Sequence, residues 1–294
     1  MPQPASNRGS TMCMGFGCNA AGVVGCRIID SPRERLIAML TNSFVPCNGR
    51  FPALISILTM FFVGSALGPL SSLYAALLLT AVILLGVGMT FLVSRLLSAT
   101  VLKGLPSSFA LELPPYRRPQ VGRVIVRSIC DRTLFVLGRA AAVALPAGLL
   151  LWIMANVTMG DATLLRHACD FLDPFARLLG LDGVILVAFV LGFPANEIVF
   201  PIILMAYLAT GTLTDVGPLV QLRQVLVDNG WTWLTALCTM LFSLMHWPCS
   251  TTCWTIYQES GSLKWTALAV ALPTGAGMLL CFGVASAARL LGLA

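Results

Sequence analysis

The sequence predicts an all-α polytopic membrane protein with about six transmembrane helices, plus broken or re-entrant half-helices in two gate-like repeats. Of the 294 residues, 57% are hydrophobic and only 10% are charged, whereas soluble domains carry about 25% charged residues. Several apolar stretches exceed the roughly 20 residues that a membrane-spanning helix needs. Gly and Pro interrupt some of these stretches, which is typical of the discontinuous helices of transporters.

The first 98 residues contain a polar start and a first gate-like region. Residues 1–10 are polar and are predicted to be disordered, and residues 11–98 form the first gate-like membrane region. The uncharged stretch 11–26 is short and glycine-rich, which favours a re-entrant half-helix. Ser31 followed by Pro32 predicts the start of a helix, because serine caps the first turn and proline fits its first position.

Six segments are apolar and long enough to be predicted as spans, namely 51–67, 73–97, 133–157, 184–209, 231–257 and 265–291. Residues 99–131 form a basic linker with an amphipathic helix, and residues 132–294 form the second gate-like region and the C-terminal membrane domain. Since basic loops stay in the cytoplasm, we expect the linker inside and the acid-rich loop 158–183 outside. Alternating spans then bring Arg289 back to the inside.

Glu197 stands out because it is the only charged residue between Asp182 and Asp215, and Pro194 and Pro201 flank it. A carboxylate within an apolar span is costly and is by default a candidate functional residue. The two prolines predict a broken helix at this point. Glu197 is therefore predicted to be an ion ligand or proton carrier. The alternative is a structural partner of a basic side chain.

Three clusters place a cysteine beside a helix-breaking residue and a small polar residue, namely Gly17-Cys18-Asn19, Pro46-Cys47-Asn48-Gly49 and Pro248-Cys249-Ser250-Thr251-Thr252. Cysteine is a soft ligand for transition metals, while Asn and Glu supply oxygen atoms. The predicted metal-path residues are Cys18, Asn19, Cys47, Glu197, His246, Cys249 and Cys253. The open alternative is that these side chains only satisfy backbone groups freed at the breaks and pack closely.

Charge and motifs exclude several function classes. The net charge of +6 comes from basic residues beside apolar segments, which favours orientation in a membrane over nucleic-acid binding. A nucleotide-binding P-loop needs Gly-Lys-Ser/Thr, and the sequence contains no such tripeptide. We therefore expect no enzyme activity in this chain, no nucleic-acid partner and no permanently bound cofactor.

One short internal repeat links the two gate-like regions. Gly15-Phe16-Gly17-Cys18-Asn19 matches Gly192-Phe193-Pro194-Ala195-Asn196 in the pattern Gly-Phe-x-small-Asn. Both copies interrupt an apolar segment, as expected of a fold that repeats a broken helix. The sequence leaves open whether the repeat is parallel or inverted.

With these residues in view, the chain resembles the membrane portion of the ferrous iron transport protein B family. The matching stretches are Gly15–Asn19, Pro46–Pro52, Leu111–Arg117, Gly192–Glu197 and Pro248–Lys264. The resemblance implies Fe²⁺ as the transported substrate and a multi-pass protein of a prokaryotic plasma (inner) membrane. It also implies that Cys18, Cys47 and Cys249 correspond to the membrane cysteines of the family.

The departures from the family pattern suggest partners and alternatives. The N-terminal G domain and the early spans of the family have no counterpart in this sequence, and Asn196 replaces the lysine of its Ala-Lys-Glu motif. The expected partners are therefore the lipid bilayer, Fe²⁺, and either a separate G-domain protein or a missing membrane half; a homo-oligomer is also open. The alternative functions are a gate-type nucleoside or small-solute carrier, and a non-transporting membrane partner subunit.

Overall fold

The computed structural model describes residues 5–63, 70–102, 122, 126, 135–160, 162–208 and 219–292. Throughout these residues the fold is all-α, as the sequence predicts. The only β-structure within these ranges is a small hairpin that pairs Thr158–Met159 with Ala162–Thr163. Helices dominate because each apolar segment must satisfy its backbone polar groups internally in a bilayer.

The helices in the described ranges follow one another through short breaks. They are α1 (Ala5–Gly17), α2 (Asn19–Gly25), α3 (Pro32–Thr41), α4 (Phe51–Leu58), α5 (Ser71–Ala99), α6 (Phe135–Asn156), α7 (Leu164–Leu178), α8 (Gly183–Leu191), α9 (Val199–Leu208), α10 (Leu219–Asp228), α11 (Trp233–Met245), α12 (Ser250–Ser260) and α13 (Leu263–Leu290). A π-helical segment, Thr59–Val63, extends α4. Short 3₁₀ segments cover Cys26–Ile28, Asn42–Phe44 and Asn196–Ile198.

Polar residues begin several of these helices. Ser31 caps α3 as predicted, because its Oγ accepts a hydrogen bond from the backbone N–H of Glu34 at 3.5 Å and Pro32 occupies the first turn. The side chains of Thr163, Asp182 and Thr232 make the same kind of cap at α7, α8 and α11. These caps satisfy backbone N–H groups that a helix start would otherwise leave unpaired.

Two continuous helices are long and apolar enough to cross a membrane by themselves. They are α5, with 29 residues, and α13, with 28 residues. Most other apolar helices are shorter, and helices of about ten residues extend for roughly 15 Å, half of the hydrocarbon thickness. Much of the remaining membrane region is therefore built from half-length helices joined at breaks, as the sequence predicts.

The first such pair, α1 and α2, reverses direction at Cys18. A Cβ atom added to Gly25 would lie 2.7 Å from the Sδ of Met14 and 3.8 Å from the side chain of Thr11. The end of α2 therefore lies beside the middle of α1. This hairpin agrees with the half-helix or re-entrant segment predicted for residues 11–26, and it ends near Arg27.

A second re-entrant hairpin consists of α8 and α9. The Tyr207 hydroxyl near the end of α9 donates a hydrogen bond to the Asp182 carboxylate at the start of α8, and Trp231 Nε1 donates to the Tyr207 oxygen at 2.7 Å. Both ends of the pair thus lie at the same side of the molecule. The prediction that 184–209 crosses the membrane is wrong, because the chain turns back at the break that contains Gly192 and Pro194.

The long helix α13 shows that α11 and α12 lie on opposite sides of their break. A Cβ atom on Gly277 would lie 3.1 Å from the carbonyl oxygen of Met245, where α11 ends, and Arg289 donates a hydrogen bond to the carbonyl oxygen of Arg177. The second half of α13 therefore runs alongside α11, while its first half, from Leu263, extends past the break alongside α12. Together α11 and α12 form one broken span.

The first repeat contains the same elements in the opposite direction. The broken span α3–α4 begins where Arg33 donates hydrogen bonds to Ser98 and Leu102 at the end of α5. It ends where Phe61 stacks on Trp231, with ring centroids 5.7 Å apart. Hairpin α1–α2 opens on the Arg27 side and hairpin α8–α9 on the side of Asp182. The repeat is therefore inverted, which the sequence leaves open.

This arrangement corrects the predicted orientation of the C-terminus. Because Arg289 hydrogen-bonds to Arg177, it lies at the same end as the loop 158–183 and not at the opposite end. The physical reason is the re-entrant turn at 192–198, which removes one crossing and so inverts the direction of the later spans. Below, the two ends are called the Arg27 side and the Asp182 side.

Some predictions fall on residues that the structure does not describe. Most of the linker 99–131, including the predicted amphipathic helix, lies outside the described residues. Residues 1–4 of the polar N-terminal segment also lie outside them, while α1 begins at Ala5, within the stretch 1–10 for which we expect disorder. The boundaries of the four predicted regions remain predictions.

Candidate metal path at the helix breaks

The turning points of the two re-entrant hairpins have the same backbone conformation. Cys18 caps α2 with φ −153° and ψ 124°, and Ala195 caps the segment leading into α9 with φ −149° and ψ 121°. These residues occupy equivalent positions in the two Gly-Phe-x-small-Asn copies. The short internal repeat therefore marks two copies of one turn, related by inversion.

The breaks of the two broken spans meet these turns in the same way. In the first repeat, the backbone N–H of Asn48 donates to the carbonyl oxygen of Gly17 at 3.3 Å. In the second repeat, the backbone N–H of Ser250 donates to the carbonyl oxygen of Phe193 at 2.9 Å. The Ser250 hydroxyl donates to the carbonyl oxygen of Pro194 at 3.3 Å. Each Pro-Cys break is thus joined to the turn of the hairpin in its own repeat.

Contacts between the repeats bring Glu197 and Cys47 to one place. The Asn196 amide donates to the Cys47 sulfur over 3.9 Å. A Cβ atom on Gly49 would lie 3.7 Å from both the backbone nitrogen and the Oε2 of Glu197. Glu197, from the second repeat, therefore lies directly over the Cys47–Gly49 turn of the first repeat.

Several predicted path residues are accessible at this central level. Cys18 and Glu197 are exposed, while Cys47 and Cys249 are partly buried. The Cys249 thiol lies near both Cys47 and Cys18. An accessible carboxylate at this depth has to face water, an ion or another polar group, because exposure to lipid is costly.

His246 is fully buried beside the break between α11 and α12, at 1% exposure. Its Nδ1 lies 2.8 Å from the carbonyl oxygen of Ser243, and its Nε2 lies 3.2 Å from the Asn196 side chain. Both ring nitrogens thus lie against oxygen atoms of the protein, and a neutral imidazole can donate a hydrogen bond to only one of them. In this arrangement His246 holds Asn196 in place, and the prediction that it binds metal directly remains a prediction.

Asn19, the equivalent of Asn196, is also buried and also joins its hairpin to the neighbouring break. With its amide nitrogen turned toward the surrounding oxygen atoms, it donates to Gly15 at 3.1 Å and to Val45 at 3.3 Å. Its own carbonyl oxygen accepts a hydrogen bond of 2.8 Å from the Asn42 amide. Asn19 therefore stabilises the turn at Cys18 in this structure.

Cys253 lies one helical turn after Cys249 and has a different environment. It is 9% exposed, and its thiol donates to the carbonyl oxygen of Pro248 at 3.4 Å. The Cys249 sulfur instead lies 3.2 Å from the hydroxyl of Thr252. Cys253 also lines an apolar cavity of about 630 Å³ with Trp254 and other residues, so the two cysteines face different surroundings.

The described residues do not form a closed metal centre. Within them, no group of three or more His, Cys, Asp or Glu side chains is close enough to hold a metal ion. The structure brings Cys47 and Glu197 together, and Cys249 lies near both Cys47 and Cys18. Which of these residues bind metal therefore remains a prediction.

Arg50 is a central residue that the sequence reasoning missed. The predicted span 51–67 places Arg50 at a membrane surface, yet its side chain is buried among the breaks with 1% exposure. A signal was present in the sequence, because Arg50 is the only charged residue between Arg35 and Arg95. The rule that singles out Glu197 applies to it equally.

Two family models match the chain. One describes the C terminus of ferrous iron transport protein B and matches residues 79–130. The other is a gate domain described as nucleoside recognition and matches residues 137–263.

Curated relatives match over most of the chain. The Fe(2+) transporter FeoB of Staphylococcus aureus is 30% identical over 282 residues, which cover 92% of this chain and 39% of the relative. The Fe(2+) transporter FeoB of Methanocaldococcus jannaschii is 26% identical over 96% of this chain and 41% of its own length. A fusion of Fe(2+) transport protein A with FeoB from Porphyromonas gingivalis is 23% identical over 88% of this chain and 35% of the fusion. The chain thus spans about two fifths of the length of these relatives, and no solved structure matches it.

Proposed function

Because the chain belongs to the ferrous iron transport protein B family and matches its C-terminal membrane region, we propose that it is a permease, or a permease subunit, for uptake of Fe²⁺. The protein would act as a multi-pass protein of a prokaryotic plasma membrane. The proposed path passes the helix breaks and is lined by Cys18, Cys47, Glu197 and Cys249.

The observation that carries this proposal is the meeting of Cys47 and Glu197 at an accessible central point. The two residues come from opposite repeats and lie at breaks, where backbone carbonyl groups are free to replace water around an ion. Sulfur and carboxylate ligands together suit a divalent transition metal. A small number of ligands in reach at once favours passage over permanent binding, because a conducted ion must also be released.

We infer that the two ends of the proposed path are closed by different kinds of contact. On the Asp182 side, Leu54 and Ile57 of α4 belong to the same buried apolar cluster as Ile202 and Ile203 of α9, each about 1% exposed. On the Arg27 side, the equivalent helices α2 and α12 are joined by an ion pair between Arg27 and Glu259 at 2.6 Å. We infer that the structure corresponds to a state closed on the Asp182 side, and that the ion pair is the more easily opened barrier.

The test is uptake of radiolabelled Fe²⁺ into vesicles containing the purified chain. Glu197→Gln keeps the side-chain shape but removes the charge, so uptake per folded molecule should fall about tenfold or more, since a hydrogen bond to a charged group contributes about 1.5–3 kcal/mol. Asp170→Asn is the matched control, because Asp170 is an exposed residue of α7 paired with Arg166. Normal uptake by Glu197→Gln would remove this residue from the path.

The cysteines provide an independent arm of the same test. Cys18→Ser and Cys249→Ser should also reduce uptake, and each should combine less than additively with Glu197→Gln, because residues that contact one ion are coupled. Cys238→Ser is a control at a fully buried cysteine in the middle of α11. If the path variants and the control reduce uptake equally, the loss reflects packing rather than ion contact.

A second candidate function is transport of a nucleoside or another small solute, which the match of a nucleoside-recognition gate domain to residues 137–263 favours. Uptake of labelled nucleoside, with Fe²⁺ as competitor, separates the two substrates. A third is a membrane partner without transport of its own. In that case the chain alone would show no uptake, and uptake would appear once the remaining region of the family is supplied.

Partner proteins are part of the proposal because the chain covers only about two fifths of its relatives. The P. gingivalis relative is a fusion of Fe(2+) transport protein A with FeoB. We propose that a separate G-domain protein, or a protein supplying further membrane segments, binds on the Arg27 side, where the basic linker is also expected. Co-purification of such a protein with the chain, dependent on residues 99–131, tests this.

A further inference from the structure

Arg50 fills a cage of backbone oxygen atoms at the point where the two broken spans cross. Its Nη1 donates to the carbonyl oxygens of Ser43 and Leu244, each at 2.9 Å. Its Nη2 donates to those of His246 and Trp247, each at 3.3 Å. One guanidinium therefore binds four carbonyl groups, three of them at the break that ends α11 in the other repeat.

The charge of this side chain is stabilised by the dipoles of the carbonyl groups. In the described part of the chain, no Asp or Glu lies within ion-pair distance of Arg50. A guanidinium remains protonated under all ordinary conditions, and a buried charge without compensation is strongly unfavourable. The compensation comes from carbonyl groups at the C-terminal end of α11, where the helix dipole also favours a cation.

Carbonyl oxygens freed at a broken helix are the groups with which transporters hold a coupling cation such as Na⁺. Here a side chain from the opposite repeat occupies such a cage. We propose that Arg50 is a tethered cation, which fastens the first repeat to the α11–α12 break and leaves no room there for a free monovalent cation.

The same residue sets the relative position of two path cysteines. The backbone N–H of Arg50 donates to the carbonyl of Cys47 at 2.9 Å, which closes the turn that presents this cysteine. Its side chain binds the carbonyls of His246 and Trp247, immediately before Pro248 and Cys249. Its guanidinium lies near both thiols. Arg50 is thus a positioning residue for Cys47 and Cys249. The contact of these cysteines with iron rests on the proposed function, whereas the binding of Arg50 in its cage is independent of that function.

Replacing Arg50 by alanine empties the cage and provides the test. In purified Arg50→Ala protein, we expect a lower unfolding temperature and alkylation of the Cys47 and Cys249 thiols at least about tenfold faster, a change equivalent to 1.4 kcal/mol. Methylguanidinium, and to a lesser degree Na⁺, should reverse both effects by filling the cage. Arg223→Ala, which removes an exposed arginine of α10 to which the proposed path assigns no role, should show no such rescue.

Two further measurements make the outcome decisive. Arg50→Lys keeps the positive charge, but its ammonium group has three N–H donors where the planar guanidinium has five. This variant should therefore fold, even if Arg50→Ala does not accumulate, and its thiols should be alkylated at an intermediate rate. The wild-type protein should have the same unfolding temperature in Na⁺, K⁺ and choline salts. These readouts need no iron, so they stand apart from any failure of the transport assay.

Three results would overturn the proposal. The first is wild-type alkylation and stability in Arg50→Ala or Arg50→Lys. The second is restoration by Arg50→Met, which would show that the side chain only fills space. The third is specific stabilisation of the wild-type protein by Na⁺ that Arg50→Ala abolishes, which would show that a free cation binds beside Arg50 rather than being replaced by it.

Discussion

The contact between Asn196 and His246 allows a quantitative test of how the second re-entrant turn is held. Asn196 lies at the turn of hairpin α8–α9 and is 7% exposed, while His246 lies at the break of the neighbouring span and is 1% exposed. Their side chains meet over 3.2 Å. Asn196→Ala removes this contact without adding volume.

The expected loss follows from the burial of the histidine. After the substitution, Nε2 of His246 has no partner in a site that is closed to water. Leaving a buried polar group unsatisfied costs about 1–3 kcal/mol, so the free energy of unfolding should fall by that amount. The contact of Asn196 with the Cys47 sulfur, at 3.9 Å, is longer and adds little. Asn48→Ala is a matched control, because this exposed asparagine should change stability by less than about 0.5 kcal/mol.

The assay is reversible unfolding in mixed micelles, followed by tryptophan fluorescence, with a double-mutant cycle. His246→Phe keeps a ring but removes both nitrogen atoms, so it should make the loss of Asn196 less damaging. The two substitutions should therefore deviate from additivity by about 0.5–3 kcal/mol. Additive effects, or an Asn196→Ala variant as stable as the control, would refute the view that this hydrogen bond holds the turn.

Other consequences of the structure can be measured separately. Gly192→Ala should destabilise the second hairpin by about 1–3 kcal/mol, because its Cβ would lie 2.3 Å from a methyl group of Val199; thermal unfolding measures this loss. Arg27→Gln should change the free energy of unfolding by about 1 kcal/mol or less, since the Arg27 side chain is 66% exposed and its ion pair with Glu259 is open to solvent on that side. It should nevertheless open the Arg27 side and speed thiol labelling of the central cysteines from that side. Cysteines introduced at Arg289 and Thr163 should react with impermeant reagents from the same side of the membrane, and labelling from opposite sides would contradict the re-entrant hairpin.

The positions of helices and breaks could be predicted from the sequence because their signals are local. Ser31 and Pro32 start a helix where expected, and the chain breaks at Cys18, near Glu197 and at Cys249. Each depends on residues close in sequence, such as a proline, a glycine or a capping side chain.

The path of the chain between breaks could not be predicted in the same way. The apolar stretch 184–209 is long enough to span the membrane, and a hydropathy average does not detect that the chain reverses direction at its centre. The reversal depends on contacts between residues far apart in sequence, above all the Asp182, Tyr207 and Trp231 group. Because this turn was not predicted, the direction of every later membrane crossing was reversed, and Arg289 was placed at the wrong end of the molecule.

The glycines of the first turn show how a distant contact determines a local motif. A Cβ atom on Gly15 or Gly22 would come within 2.7 Å of the Asn42 side chain, which hydrogen-bonds to the backbone of Asn19. Both glycines are therefore required by a residue of the neighbouring broken span, in addition to any local role in the turn. Their presence alone predicts a close approach, and it does not identify the segment that approaches.

The inverted repeats preserve backbone geometry and asparagine but distribute the candidate ligands unevenly. Both repeats keep a Pro-Cys break, which supplies Cys47 and Cys249. At the turns, however, the first repeat has Cys18 where the second has Ala195, and the second adds Glu197. One re-entrant turn therefore offers a soft sulfur atom and the other a hard carboxylate. For an ion of intermediate softness such as Fe²⁺, the turns would then bind unequally, so exchanging the two ligand types between them should change the direction in which the ion is more easily released.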